Sequence, residues 1–142
     1  MNTLNHVKFL CLRMLEVPEK NVGEKMQRNL HSNVDYYFYD GVIIEEEYIE
    51  LLSKVPQQLY NIAKQAFQRP PLEVNICAVV GENGSGKSTV IDFIVRILNN
   101  LSAYILGEYY RSPSAEHLHF IEDVYAELYV LIDDCVLKIQ CK

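Results

Sequence analysis

Nine residues near the middle of the chain, Gly81-Glu82-Asn83-Gly84-Ser85-Gly86-Lys87-Ser88-Thr89, match the phosphate-loop pattern G-x-x-x-x-G-K-[ST]. A nucleoside triphosphate carries several negative charges that must be held without a covalent bond. Backbone N–H groups turned inward around a concave loop are fixed donors suited to that task. Side chains at Gly81, Gly84 and Gly86 would obstruct the approach or forbid the backbone angles it needs, while Glu82, Asn83 and Ser85 supply further main-chain amides. Lys87 would reach the β- and γ-phosphates, and the Ser88 hydroxyl would coordinate Mg²⁺, an ion that takes oxygen ligands from protein and phosphate together. Thr89 adds a contact at the α-phosphate. The competing reading is a Gly/Ser-rich turn with a stray lysine.

Such a loop has to follow a strand and open a helix, and the flanking sequence suits both. Residues 74–80 form a nearly continuous β-favouring run, of the kind buried on both faces in a parallel sheet. From Ser88 onward, Val90, Ile94, Ile97 and Leu101 recur at helical spacing, with Asp92, Arg96 and Asn99 or Asn100 on a narrow polar face. The helix would point its unpaired N–H groups and the positive end of its dipole at the same phosphates.

The 142 residues are one domain's worth of chain, and 49% apolar with 23% charged content is ordinary for a globular protein. No apolar run approaches a membrane span, and the first residues lack the basic region of a signal peptide, so the reading is cytoplasmic, with no membrane partner. A net charge of −6 argues against a broad nucleic-acid-binding surface. Cys11, Cys77, Cys135 and Cys141 are widely spaced in mostly strand-like runs and read as reduced core residues. His117 and His119 form an isolated H-x-H without a further ligand cluster, which fits a surface pair better than a metal site.

Taken in order, residues 7–15 read as a first strand and 19–33 as a polar loop. Residues 36–39 and 42–44 flank Asp40-Gly41 as a hairpin would. Residues 45–52 suit a short helix whose carboxylates, Glu45, Glu46 and Glu47, occupy a solvated first turn. Leu59, Ile62, Ala63, Ala66 and Phe67 give a second helical stripe, in which Tyr60 packs or, alternatively, stacks on a base. Gly107 is placed to cap the helix that follows the loop. Near the end, two readings of Asp133-Asp134 compete. Either residues 128–132 are a buried strand whose terminal carboxylates hold Mg²⁺ and orient water, or the acidic pair is the turn of a hairpin completed by residues 136–141. The hairpin is the better fit, because the β-favouring alternation resumes directly after the pair.

The loop's form, G-x-N-G-[SA]-G-K-[ST]-T, resembles that of ABC-superfamily ATPases, including the SMC, RecF and OLD-type branches and many bacterial AAA-family proteins. The strand at 7–15 resembles the opening strand of those branches. The resemblance implies an α/β fold, the N-terminal lobe of an ABC-type P-loop NTPase, with a mixed sheet and antiparallel hairpins packed on the phosphate-loop helix. It implies ATP rather than GTP, with Mg²⁺, and hydrolysis only when two heads complete each other's sites. DNA would be reached only through a complete protein. Arg28 is similar in position to a phosphate-facing arginine of SMC-type heads. No L-S-G-G-Q-like signature follows, so by this resemblance residues 1–142 are one ATP-binding domain forming the N-terminal portion of a larger ATPase. The alternatives are a compact kinase or NTPase using Asp133 or Asp134, and a module that binds nucleotide without turning it over.

Overall fold

A computed structural model describes residues 7–18, 27–38, 42–45, 49–51, 60–61, 73–74, 79–80, 82–113, 116–133 and 135–142. In chain order these form β1 (Val7–Met14), β2 (Asp35–Tyr37), β3 (Val42–Ile44), β4 (Ile49–Leu51), β5 (Tyr60–Asn61) and β6 (Glu73–Val74). Then come helix α1 (Lys87–Ser102), a π-helical extension Ala103–Tyr109, β7 (Ala126–Ile132) and β8 (Cys135–Cys141). Among the described residues the protein is therefore mixed α/β, with antiparallel sheets and one long helix.

The central sheet runs β2-β1-β7-β8, and β3-β4 and β5-β6 form two separate pairs. Every pairing among the described residues is antiparallel, so the mixed sheet expected from the sequence is not seen in them. Both inner strands are largely apolar because apolar residues pack on each face of the sheet. On one face, Val90, Phe93 and Ile97 of α1 pack against Leu12, Met14, Ala126, Leu128 and Val130. Phe93 is fully buried there, a placement that stabilises by about 1.5–3 kcal/mol relative to exposure. On the other face, Leu10, Cys11, Tyr129 and Leu131 pack with Val42 and Ile44 of β3. The register between β1 and β7 shifts between Phe9 and Cys11. This irregularity puts consecutive residues Leu10 and Cys11 on the same face, which strict alternation would forbid.

The first strand and the C-terminal hairpin form as the sequence indicates. Ile132 pairs with Cys135, and Asp133, directly after Ile132, has φ 51, the left-handed geometry favoured in tight hairpins. Other expectations are corrected. Asp35–Tyr37 pairs with β1 and Val42–Ile44 with β4, so the runs beside Asp40-Gly41 are not each other's partners; the intervening turn lies outside the described residues. Strands replace helix at Ile49–Leu51 and at Tyr60–Asn61, where tertiary pairing overrides a local helical pattern. Of the run expected to be a buried parallel strand, Val74 belongs to an antiparallel pair with β5, while Val79 and Val80 are exposed and outside any strand. An apolar run marks a strand without specifying its partner.

The helix also differs in detail. It continues past Gly107 to Tyr109 as a π-helical turn. Lys87–Tyr109 is 23 residues long and contains an 18-residue stretch with a mean hydropathy of 1.4, enough by length and composition for a membrane span; Val90, Phe93 and Ile97 nevertheless pack one face of it on the sheet. Asp92 and Arg96 pair at 2.9 Å on its polar side, but Asn100 is buried. Its amide donates to Ile121 O at 2.9 Å and accepts from Ile121 N at 2.8 Å, tying the helix to the chain returning into β7. Of the cysteines, Cys11 is buried, Cys135 exposed and Cys141 half-buried on the edge strand, so the core reading holds only for Cys11; Cys77 lies outside the described residues. His117 and His119 are exposed.

A polar network sits on the sheet face opposite α1. Arg13 donates to both carboxylate oxygens of Asp35, at 2.6 and 2.8 Å, and to Ile44 O at 2.9 Å. Tyr129 and Gln140 each donate to Glu127 at 2.6 Å. The hydrogen bond to Asp35 raises the Arg13 pKa despite partial burial, and burial followed by Glu127 raises that of Tyr129. Arg13→Leu would take the bidentate partner from half-buried Asp35, leaving it the Tyr37 hydroxyl at 3.2 Å, while Glu127 keeps Tyr129, Gln140 and Lys138. Unfolding in urea should show a loss of about 3 kcal/mol; a loss below about 1 kcal/mol would contradict this account. Burial, reinforced by Asp35, pushes the Cys11 thiol from 9.0 up to about 12. A raised thiol pKa contributes stability that is intact below pH 9.0 and lost as pH climbs towards about 12. Alkylation at pH 8 followed by peptide mass mapping should label Cys135 in the native protein and Cys11 only after denaturation.

Candidate functional site

The loop lies where α1 emerges from the core. Because Phe93 and Ile97 pin the helix to the sheet, the direction of its N-terminus is determined by packing remote from the loop itself. Gly86 is the N-cap residue, with φ 94 and no side-chain cap. Gly84 has φ 84. These left-handed angles at alternate positions curl the chain, and they are conformations that glycine adopts without steric cost. Val90 N to Gly86 O, at 3.0 Å, is the first helical hydrogen bond. The amides of the preceding turn, at Lys87, Ser88 and Thr89, have no acceptor within the helix by the geometry of any helix start.

Lys87 Nζ folds across the loop and donates to Glu82 O at 2.5 Å, an acceptor it shares with Ser85 N at 3.2 Å. A cavity of about 240 Å³ opens beside this arrangement. It is lined by Asn83, Gly84, Gly86, Lys87, Ser88 and Thr89, together with Arg28 and Asn29 from the polar stretch before β2. Ser88 is exposed at the cavity and Thr89 is buried. Two cationic side chains, two hydroxyls and a helix N-terminus thus converge on one small space. Among the described residues its lining contains no carboxylate. Its size is below that of ordinary small-molecule pockets, which suits a phosphate tail with the rest of a ligand outside.

The sequence-derived residues are therefore brought together at Asn83, Gly84, Gly86, Lys87, Ser88 and Thr89. Glu82 and Ser85 contribute to the loop's internal bonds, and Gly81 lies outside the described residues. Asp133 is exposed in the β7–β8 turn and does not line the cavity, and Asp134 lies outside the described residues. Asp133 thus ends a strand whose neighbours are both antiparallel, not a parallel strand with its end at a ligand crevice. The residues that sequence reasoning missed are Asn29 and Leu30. Asn29 Nδ2 donates to Gly84 O. Leu30 packs so closely on Gly86 that a Cβ there would fall 2.8 Å from Leu30 Cδ2. More than fifty positions separate the two segments, and nothing local in the sequence announces the contact.

A larger cleft, about 1080 Å³, lies on the far face of the sheet and is lined by Arg13, Asp35, Glu127, Tyr129 and Lys138 among others. Its polar groups are engaged with one another, as in the Arg13–Asp35 and Tyr129–Glu127 pairs, so the smaller cavity at the loop is the better site despite its size.

Alanine substitution separates the two loop glycines. At Gly84 a Cβ meets only Asn29 Nδ2 at 3.8 Å, an ordinary contact, whereas at Gly86 it meets the buried Leu30. Gly84→Ala should lose about 1–2 kcal/mol for the left-handed angle alone, and Gly86→Ala should lose about 1–3 kcal/mol more through crowding. Equal losses in denaturant titrations would contradict the Leu30 contact. Comparison with known proteins found no match to this chain among family models, curated proteins or solved structures.

Proposed function

We propose that this chain binds ATP with Mg²⁺ through residues 81–89, as the N-terminal part of an ATPase head of the ABC, SMC or RecF kind. The observation that supports the reading best is the convergence at one cavity of Lys87, Arg28, Ser88 and the start of α1 behind two left-handed glycines. Lys87 would leave the Glu82 carbonyl for the β- and γ-phosphates, a stronger, charge-assisted partner. Ser88 would take a position on Mg²⁺, and Arg28, whose φ is 52, would meet the phosphates from the opposite wall. The preference for ATP over GTP comes from the form of the loop and its resemblance to the ABC superfamily.

Hydrolysis is a separate matter. A water-orienting carboxylate is absent from the cavity lining among the described residues, which favours binding without turnover by this chain acting alone. Turnover would belong to a complete head paired with a second one, and any contact with DNA to that assembly. We place the protein in the cytoplasm.

A ligand present at one hundred times its dissociation constant stabilises the native state by about 2.7 kcal/mol. For a domain of this length the corresponding rise in melting temperature is about 5–10 °C. MgATP should produce this rise in wild type, chelation of Mg²⁺ should diminish it and Lys87→Ala should abolish it. Equal stabilisation of wild type and Lys87→Ala would sink the proposal.

A further inference from the structure

The phosphate loop leans on a turn from a distant part of the chain, and that turn is itself anchored. Gln27 is buried; its Nε2 donates to Leu15 O at 2.8 Å, just beyond β1, and its Oε1 accepts from Ser32 Oγ at 3.0 Å. Leu30 N closes the turn on Gln27 O at 2.9 Å, and the Leu30 side chain is buried against Gly86. Between these two buried anchors stand Arg28 and Asn29, both exposed and both lining the loop cavity. The Asn29 amide donates to the Gly84 carbonyl.

That bond has a directional consequence. The Gly84 carbonyl and the Ser85 N–H belong to one planar peptide group and point in opposite directions. Holding the carbonyl towards Asn29 therefore turns the Ser85 N–H into the loop, where it meets Glu82 O at 3.2 Å. Gly84, at φ 84, has no side chain to restrict this peptide's rotation, so an external partner must do so.

We infer that Asn29 is a positioning residue of the phosphate loop: by donating to Gly84 O it orients the Gly84–Ser85 peptide, keeps the Ser85 N–H on Glu82 O and so fixes the curl of the loop around the cavity that would take the phosphates. The inference rests on the phosphate-binding reading given above. Asn29 lies on the surface of a turn already secured by Gln27 and Leu30, so its role is to organise the loop and not to hold the fold together.

The test uses the full chain as wild type, Asn29→Ala, Asn29→Asp and Lys87→Ala, with MgATP affinity from calorimetry and amide hydrogen exchange of the loop peptide measured without nucleotide. Asn29→Ala should keep the melting temperature of the nucleotide-free protein within about 2 °C, in keeping with an exposed site. It should raise loop exchange about tenfold and weaken MgATP about tenfold, the size of one lost hydrogen bond. Asn29→Asp has the same shape but lacks the N–H donor and adds a negative charge at the cavity, so it should bind more weakly than Asn29→Ala. Wild-type affinity in Asn29→Ala, with or without faster exchange, overturns the inference, as does a large fall in melting temperature with affinity retained. Should wild type and Lys87→Ala both fail to bind, the phosphate reading is what falls. The hold of Asn29 on the loop is then decided by exchange alone, and unchanged exchange overturns it too.

Discussion

The seating of Phe93 against the central sheet is the contact on which the remaining architecture depends. A helix aims its terminal amides wherever its body is pinned, and α1 is pinned by Val90, Phe93 and Ile97 against Leu12, Met14, Leu128 and Val130. Buried Asn100 secures the far end by engaging both polar groups of Ile121. The amides at the near end are therefore presented in a fixed direction before any ligand arrives, and this is what makes helix starts useful for holding anions.

The loop in front of the helix is assembled from two remote parts of the chain. Gly84 and Gly86 provide the curl, but glycine is permissive and does not by itself select one conformation. Selection comes from the turn at Gln27–Leu30, where an apolar contact to Gly86 and a hydrogen bond to Gly84 act side by side. Arg28 is brought to the cavity by the same turn. Support and charge thus arrive on one short segment whose own anchor, through Gln27, is the end of the central strand.

Much of this was legible in the sequence where the chemistry is local. The loop pattern, the helix after it, the first strand and the final hairpin all depend on residue types within a few positions of one another, such as the apolar spacing of Val90 and Ile97 or the acidic pair between two β-favouring runs. Choices of partner were not legible. Asp35–Tyr37 could have paired across Asp40-Gly41 but aligns with Leu12 and its neighbours instead, and Tyr60–Asn61 adopts a strand within a helical pattern because Glu73–Val74 lies alongside it. Asn29 was invisible for the same reason: a polar residue in a polar stretch acquires meaning only when folding brings Gly84 beside it.

The irregularity at Leu10 acts as an index mark. A strand that slides one position against its neighbour exchanges its two faces, and here sliding would drive Arg13 into the oily layer beneath α1 while also moving the kink out of step with Val130 and Tyr129. The strand accordingly has one permissible height. Since Leu15 O, the acceptor for Gln27, lies directly beyond its end, the distance from the middle of the sheet to the glycine loop is metered out by the number of residues after that kink.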